Sequence, residues 1–525
     1  MNTSTTPFTF GAIDIAVFVG FYLVIMVTSL WKSRSEKGSA GYFLGGRSLP
    51  WWLIGVSVVA ANLSTEQFVG MAGQAAGDIG LAVSCWQLTG IIGLILAGFF
   101  FLPKFLSAGI YTMPEYLEYR YNKATRVIMT FVTVIIYVTV STSAVLYSGA
   151  ITLDRIFGIP LVYSVAVIAA ISLLYVVWGG LLAAVWADLF QGSALLIGGL
   201  IAIGLGIYAI GGVDTFVEKG ADKLHLLLPR DHKELPWTVL IGGMWIPIIY
   251  YCGLNQFIMQ RTLAAKNLKE GQLGIIFAGA LWLLVPVAVV MPGIASAILY
   301  PEQMQSIDAT GKVVLNYDAA YPLLIKNLVP VGLRGFILAA LAGAVISSLA
   351  SILNSASTIF TMDIYKQFIA KDADESRQVR VGRISTVIFM GIACVIALSP
   401  LLKGGVFTFI QEFQGYISPG IVAAFLFGFV VKRAPSSAGL SALVCSPIIY
   451  GVLQLCYGDV PYLHRMVWTL GILVLIMTGL TIAAPLDKPK VMPVRPEIET
   501  KTSPLVVVLG LSVIAAVLAF FIYFK

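Results

Sequence analysis

Residues 50–73 read PWWLIGVSVVAANLSTEQFVGMAG: apolar at both ends, with Asn62, Ser64, Thr65, Glu66 and Gln67 in the middle. A carboxylate at mid-bilayer costs about 2.5–3.5 kcal/mol on insertion scales. Such a run is tolerated where the helix is interrupted and lines a cavity. Discontinuous helices of this kind mark the substrate and ion sites of secondary transporters. The stretch therefore reads as a broken span. The alternative is an intact helix with Glu66 hydrogen-bonded inside a packed bundle.

A second stretch, 338–358, reads LAALAGAVISSLASILNSAST. It has the roughly 20 residues a spanning helix needs and no formal charge. Ala344, Ser347 and Ser348 fall at i, i+3 and i+4, on one face, which Ser351 and Ser355 extend. Two hydroxyls and a carbonyl freed near Ala344 would give a small cation hard oxygen ligands. Small residues and serines equally let membrane helices pack closely and bond one another. The stripe alone leaves both readings open.

The whole chain belongs in a bilayer. Of its 525 residues 58% are hydrophobic and 11% charged, against about 25% charged in soluble domains. The net charge of +7 is therefore no sign of a nucleic-acid partner. The five cysteines sit in apolar segments with no paired spacing, giving neither a disulfide framework nor a metal motif. The three histidines lie in polar connections. No GxxxxGK[ST], HExxH or GxSxG occurs, so an ATP-driven pump or membrane hydrolase has no visible engine. The chain reads as a carrier rather than an enzyme, with no cofactor.

Fourteen apolar spans are expected, roughly 11–31, 50–74, 81–106, 127–150, 159–178, 186–212, 237–260, 274–300, 331–355, 384–402, 406–431, 437–457, 466–485 and 504–524. The first has no basic residue before it and no small-residue cleavage site after it, so it reads as a retained helix. Segments following odd-numbered spans hold 22 of the 33 Lys and Arg residues. The positive-inside rule puts that side in the cytoplasm and both termini outside. The basic stretches 261–266 and 363–383 are then cytoplasmic loops, and 213–236 and 301–330 are external. With 1–49 as a peripheral helix and loop, 50–212 and 237–431 become two five-span repeats. An odd number of spans inverts the second repeat in the membrane. Residues 437–525 are left as peripheral helices.

Six blocks carry a resemblance: YFLGGRSLPWW (42–52), AANLSTEQFVGM (60–71), YVVWGGLLAAVWADLFQ (175–191), NQFIMQRTLAAK (255–266), ISSLASILNSASTIFTMDIYK (346–366) and FIQEFQGYISPG (409–420). In this order they resemble the sodium/solute symporter family, nearest its bacterial sodium/galactose branch. The resemblance covers nearly the whole chain. It implies an all-α, LeuT-type five-helix inverted-repeat core, sodium as coupling ion, alternating access and a place in a bacterial-type inner (cell) membrane.

The resemblance also implies residues. Sodium would take the carbonyls of Ala60, Leu63 and Ala344 and the hydroxyls of Ser347 and Ser348. Some relatives add a second sodium through a hydroxyl where this chain has Ala350, so one sodium per cycle is expected. Asp188 would assist sodium exit; its other reading is a cap on the sixth span's N-terminus. Gln67 and Gln411 match polar sugar contacts, Tyr251 the aromatic that stacks on the sugar as inner gate, and Asn62 the residue holding that tyrosine. Met71, Trp86 and Phe407 match the hydrophobic outer lid, Trp86 in place of a tyrosine. Three positions depart: Gln87 replaces a glutamate, Ile248 an asparagine and Trp282 a lysine. The pocket becomes neutral and more aromatic, which suits an uncharged sugar or polyol over a sialic acid. For Trp86, Tyr251 and Trp282 packing or a lipid-facing place is the competing reading.

Overall fold

Backbone amides in hydrocarbon find partners only inside helices or closed barrels, and the long apolar segments of this chain all fold as helices. The computed structural model describes residues 11–33, 38–157, 159–307, 313–399, 402, 406–496 and 501–525. In order these include α1 (Ala12–Ser33), α2 (Trp51–Asn62), α3 (Glu66–Ala76), α4 (Gly80–Ala108), α5 (Lys123–Asp154), α6 (Leu161–Leu174) and α7 (Gly179–Ile210). Next come α8 (Trp245–Ile249), α9 (Gln256–Leu263), α10 (Leu268–Leu299), α11 (Leu333–Ile369) and α12 (Glu375–Ala397). The last four are α13 (Val406–Val430), α14 (Ser436–Cys456), α15 (Tyr462–Ala483) and α16 (Pro504–Tyr523). A small antiparallel pair, Gln305–Ile307 with Val313–Leu315, lies between α10 and α11.

Eleven helices among the described residues are long and apolar enough to span a membrane, or twelve with α2 and α3 taken as one bent span. That differs from the expected fourteen for a physical reason. The fifth expected span is the short α6, which runs into α7 at Gly180. The seventh is chopped into α8, α9 and short turns. Gly180 has φ 56°, and a Cβ there would lie 2.4 Å from the Tyr42 carbonyl oxygen, so this corner admits only glycine.

The central helix is α11. Its most apolar window is 89% buried, against 17% in α1 and α16. It packs on α1, α2, α5, α7 and α12. Its first turn is capped from outside: Asp14 Oδ1 on α1 accepts the amides of Gly332 (2.7 Å) and Gly335 (3.1 Å). This satisfies amides that the helix leaves without internal partners. At the other end of the chain the Leu226 amide donates to Phe524 O at 3.0 Å.

Two breaks interrupt the membrane helices at matching places in the two expected repeats. Leu63 leaves α2 with φ −83°, ψ 113°, and the chain turns 59° into α3. Asn255 separates α8 from α9 with φ −86°, ψ 126°. The sequence reading foresaw the first and took 237–260 as one plain span.

Two segments read as cytoplasmic loops begin inside the protein. Arg261 is wholly buried in α9. Asp363 is buried in α11, where it accepts from Arg126 Nε (2.9 Å) and Thr112 Oγ1 (2.9 Å). Each charge has found a buried partner, which local sequence does not display.

Candidate functional site

The break after Asn62 frees two particular carbonyls. In an intact helix Ala60 O would take the Ser64 amide and Leu63 O the Gln67 amide. Here Ser64 N donates to Gln67 Oε1 (2.7 Å), and the amides of Gln67 and Phe68 both go to Ser64 O (3.1 and 3.2 Å). Oxygens of Ala60 and Leu63 are thus released from helix bonding.

Against this break α11 presents its hydroxyls. Ser348 Oγ donates to Ala61 O at 3.3 Å, and Ser347 Oγ donates to Asp188 Oδ1. With its hydrogen given to a carboxylate, the Ser347 oxygen keeps its lone pairs for a cation. Ala344 sits one turn earlier on the same face. The helix runs unbroken from Leu333 to Ile359, so the Ala344 carbonyl is not freed by a break as the sequence reading supposed. It remains in the helix and has a second lone pair to offer. Ser348 thus joins α11 to the end of α2, where Ala60 and Leu63 lie, and Ala344 and Ser347 share its helical face.

Asp188 is no helix cap, because it lies in mid-α7 with its side chain fully buried. Its Oδ2 accepts from Ser57 Oγ and from Arg261 Nη2 (3.0 Å). Arg261 in turn donates to Ser57 Oγ (2.6 Å) and to Ser351 Oγ. Arg261 and Ser57 were missed by sequence reasoning. The available signal was the rule that an intramembrane carboxylate needs a counter-charge, with Arg261 at the end of the seventh span.

Beside the break lies a small cavity of about 70 Å³. Asn62, Gln67, Gln87, Ile248, Tyr251, Trp282 and Gln411 all line it, as does Trp86. Glu66 and Gln414 line it too. Asn62 Nδ2 donates to the Tyr251 hydroxyl at 2.8 Å. Tyr251 also meets Phe257 edge-on, with ring centroids 5.4 Å apart. Gln67 Nε2 donates to Glu66 Oε1 at 3.2 Å.

Four buried polar atoms of this lining have no hydrogen-bond partner: Asn62 Oδ1, Glu66 Oε2, Gln87 Oε1 and Trp282 Nε1. Three accept and one donates. Buried groups of this kind are rare without a reason, and their convergence on one cavity gives the reason. Met71 is fully buried and is not part of the lining. The side chain of Phe407 lies outside the described residues.

Comparison with known proteins places the chain in a family. The sodium:solute symporter family model matches residues 42–445. The chain is 41% identical over 503 residues to the sodium/glucose cotransporter of Vibrio parahaemolyticus, covering 91% of this chain and 92% of that protein. It is 34% identical to sodium/glucose cotransporter 1 of Sus scrofa, covering 84% of this chain and 71% of that one. Among solved structures, a Na+-coupled sialic acid symporter in a substrate-bound outward-open state superimposes with a TM-score of 0.81. Its identity is 24%, with 91% of this chain and 99% of that one covered, so it speaks to the fold. The chain belongs to the sodium:solute symporter family.

Proposed function

We propose that the chain imports a neutral sugar or sugar-like polyol by sodium-coupled symport and alternating access, one sodium per solute. The observation that carries the reading is the cavity lining, whose fully buried unpartnered atoms are three acceptors and one donor. A hydroxyl both donates and accepts, so a polyhydroxylated solute satisfies all four. A sugar carboxylate would set its charge against Glu66 and find one donor among those four atoms, Trp282 Nε1. Both relatives named above are sodium/glucose cotransporters, which favours the sugar class.

Sodium would bind to Ala60, Leu63, Ala344, Ser347 and Ser348. Because Asn62 and Gln67 flank the same break, fixing its carbonyls around an ion also orders the cavity wall. Sodium and solute then strengthen each other's binding, a reciprocal coupling. Gln67, Gln87, Gln411 and Trp282 would contact the solute, Ile248 and Tyr251 would shape its apolar faces, and Trp86 and Met71 would belong to the outer closure. Asp188, paired with Arg261, would steer the ion on its way out.

The paired breaks at Leu63 and Asn255 support a five-helix inverted repeat over 50–212 and 237–431, since interruptions at corresponding places mark the two halves of such carriers. With α6 and the α8–α9 run counted as crossings, fourteen spans follow, and the distribution of Lys and Arg puts both termini outside.

The test is uptake by proteoliposomes at fixed pH, with sodium replaced by choline, across neutral hexoses, pentoses, polyols and a hexuronate. Sodium-dependent uptake of a neutral solute and none of the hexuronate is expected. Sodium-independent uptake driven by a pH gradient would instead establish a proton-coupled carrier. That second reading is favoured by one observation, the unpartnered Oε2 of Glu66 in the cavity wall.

A further inference from the structure

The segment 485–496, PLDKPKVMPVRP, follows α15 and has no task in the transport cycle above. Prolines at 485, 489, 493 and 496 deny it a helix, and the chain there forms neither helix nor strand. Three of its amides pin it to other elements. Leu486 N donates to Arg433 O (2.9 Å), Lys490 N to Lys432 O (3.0 Å) and Arg495 N to Ser107 O (2.8 Å). The segment is therefore a strap from the end of α13 to the end of α4. Arg495 lies along Gly109, where a Cβ would fall 2.2 Å from its Nε.

Between these anchors the side chains face out. Lys488 and Lys490 are exposed, as are Lys432 and Arg433 beside them. Val491 and Val494 are 82% and 65% exposed, while Met492 packs on the core. On α4 the Lys104 ammonium stands 4.0 Å from the centroid of the Phe429 ring. Among the described residues none of Lys104, Lys432, Arg433, Lys488, Lys490 and Arg495 forms an ion pair. Asp487 is the one acidic residue between 485 and 496. A merely solvated face accounts for the charges but leaves the two bare valines unexplained. The headgroup region of a bilayer accounts for both, because its phosphates meet the cations and its acyl boundary takes the apolar groups.

We propose that the strap is a docking surface for anionic phospholipid headgroups of the leaflet it faces, the cytoplasmic one by the distribution of Lys and Arg. Lys432, Arg433, Lys488 and Lys490 meet the headgroup charge, and Val491 and Val494 enter the layer just below it. The three amide anchors hold these side chains in place before lipid arrives. A phosphatidylcholine headgroup has no net charge, so the surface selects phosphatidylglycerol over it. High salt weakens the attraction by screening.

The test titrates the full-length protein in detergent and reads its melting temperature, so the result does not depend on which leaflet the strap faces. The probes are dioleoylphosphatidylglycerol, dioleoylphosphatidylcholine and soluble glycerol 3-phosphate. The strap variant joins Arg433→Gln, Lys488→Gln and Lys490→Gln. A control joins Lys371→Gln, Arg377→Gln and Arg380→Gln, removing the same charge from the basic stretch 363–383. All six side chains are exposed, so both variants should melt like the parent without lipid. Phosphatidylglycerol should raise the melting temperature of parent and control at the same concentration, and the other two probes should not. The strap variant should need about 100-fold more phosphatidylglycerol. Val491→Ser with Val494→Ser should also weaken phosphatidylglycerol, with every charge kept. Equal shifts in strap variant and control would make the effect one of overall charge and overturn the proposal. It also falls if phosphatidylcholine matches phosphatidylglycerol, or if glycerol 3-phosphate does, which would make the strap a site for soluble anions. If the strap variant melts lower without lipid, the valine variant decides, and an unchanged phosphatidylglycerol titration there overturns the proposal.

Discussion

The Arg261–Asp188 pair is the most exacting contact in the molecule. Both side chains are wholly buried, and removing one partner of such a pair costs about 3–5 kcal/mol because the other charge is stranded. Arg261→Met is expected to melt far below the parent. Arg261→Met with Asp188→Asn should recover much of the loss, since no lone charge remains. A melting series on the three variants checks this, and a double variant no better than the single would refute it. In the cavity, Trp282→Phe keeps an aromatic ring and removes the one donor among its four buried unpartnered atoms. Half-saturation for the solute should rise about three- to tenfold, the worth of one hydrogen bond, with the sodium dependence left in place. Uptake kinetics at fixed sodium measure it. The sequence could point to the broken end of α2 and to the serine face of α11, because serine spacing and the polar run at 62–67 are local patterns. It did not name Arg261 or Ser57. Their roles come from partners 131 positions apart for Ser57 and Asp188, and 73 for Asp188 and Arg261.

Among the elements, the two breaks were unequally legible. The first is written into the sequence by Asn62 and the four consecutive polar residues Ser64 to Gln67. The second turns on Asn255 alone, which caps α9 through the Phe257 amide at 3.1 Å and accepts from the Tyr137 hydroxyl across the bundle. A period or a hydropathy window averages one asparagine away. Asn255→Leu should lose both bonds and weaken the break. Uptake is expected to fall steeply while the protein still reaches the membrane, and quantifying both in the same vesicles checks it. The Gly180 corner is stricter. An added methyl would meet the Tyr42 carbonyl at 2.4 Å in a left-handed region of the backbone, a conformation that costs a non-glycine residue about 1–3 kcal/mol before the clash. Gly180→Ala should express poorly, which detergent-extracted yield will show.

For the whole molecule, one charge crossing 100 mV yields about 2.3 kcal/mol, and a tenfold sodium gradient adds about 1.4 kcal/mol. With one ion per solute the sum of about 3.7 kcal/mol sustains accumulation of several hundred-fold. A sodium titration of uptake should then have a Hill slope near one; a slope clearly above one would disprove single-ion coupling. The all-helical membrane class was legible from composition, and the family from six blocks in order. The number of spans was less so, because α6 and the α8–α9 run are shorter than a hydropathy window expects.

The cap that Asp14 places on α11 bears on how the molecule is made. The carboxylate and the Gly332 amide it holds are 318 residues apart. At about 5–20 residues per second, a ribosome needs roughly a quarter of a minute to a minute to bridge them. Through that interval α1 is already synthesised but lacks the partner that holds its N-terminal end. It must wait at the rim of the growing bundle, with Asp14 still hydrated, while the helices from α2 to α10 arrive. A helix made early is therefore locked late, and α1 gains its bond to α11 only after the helices between them exist.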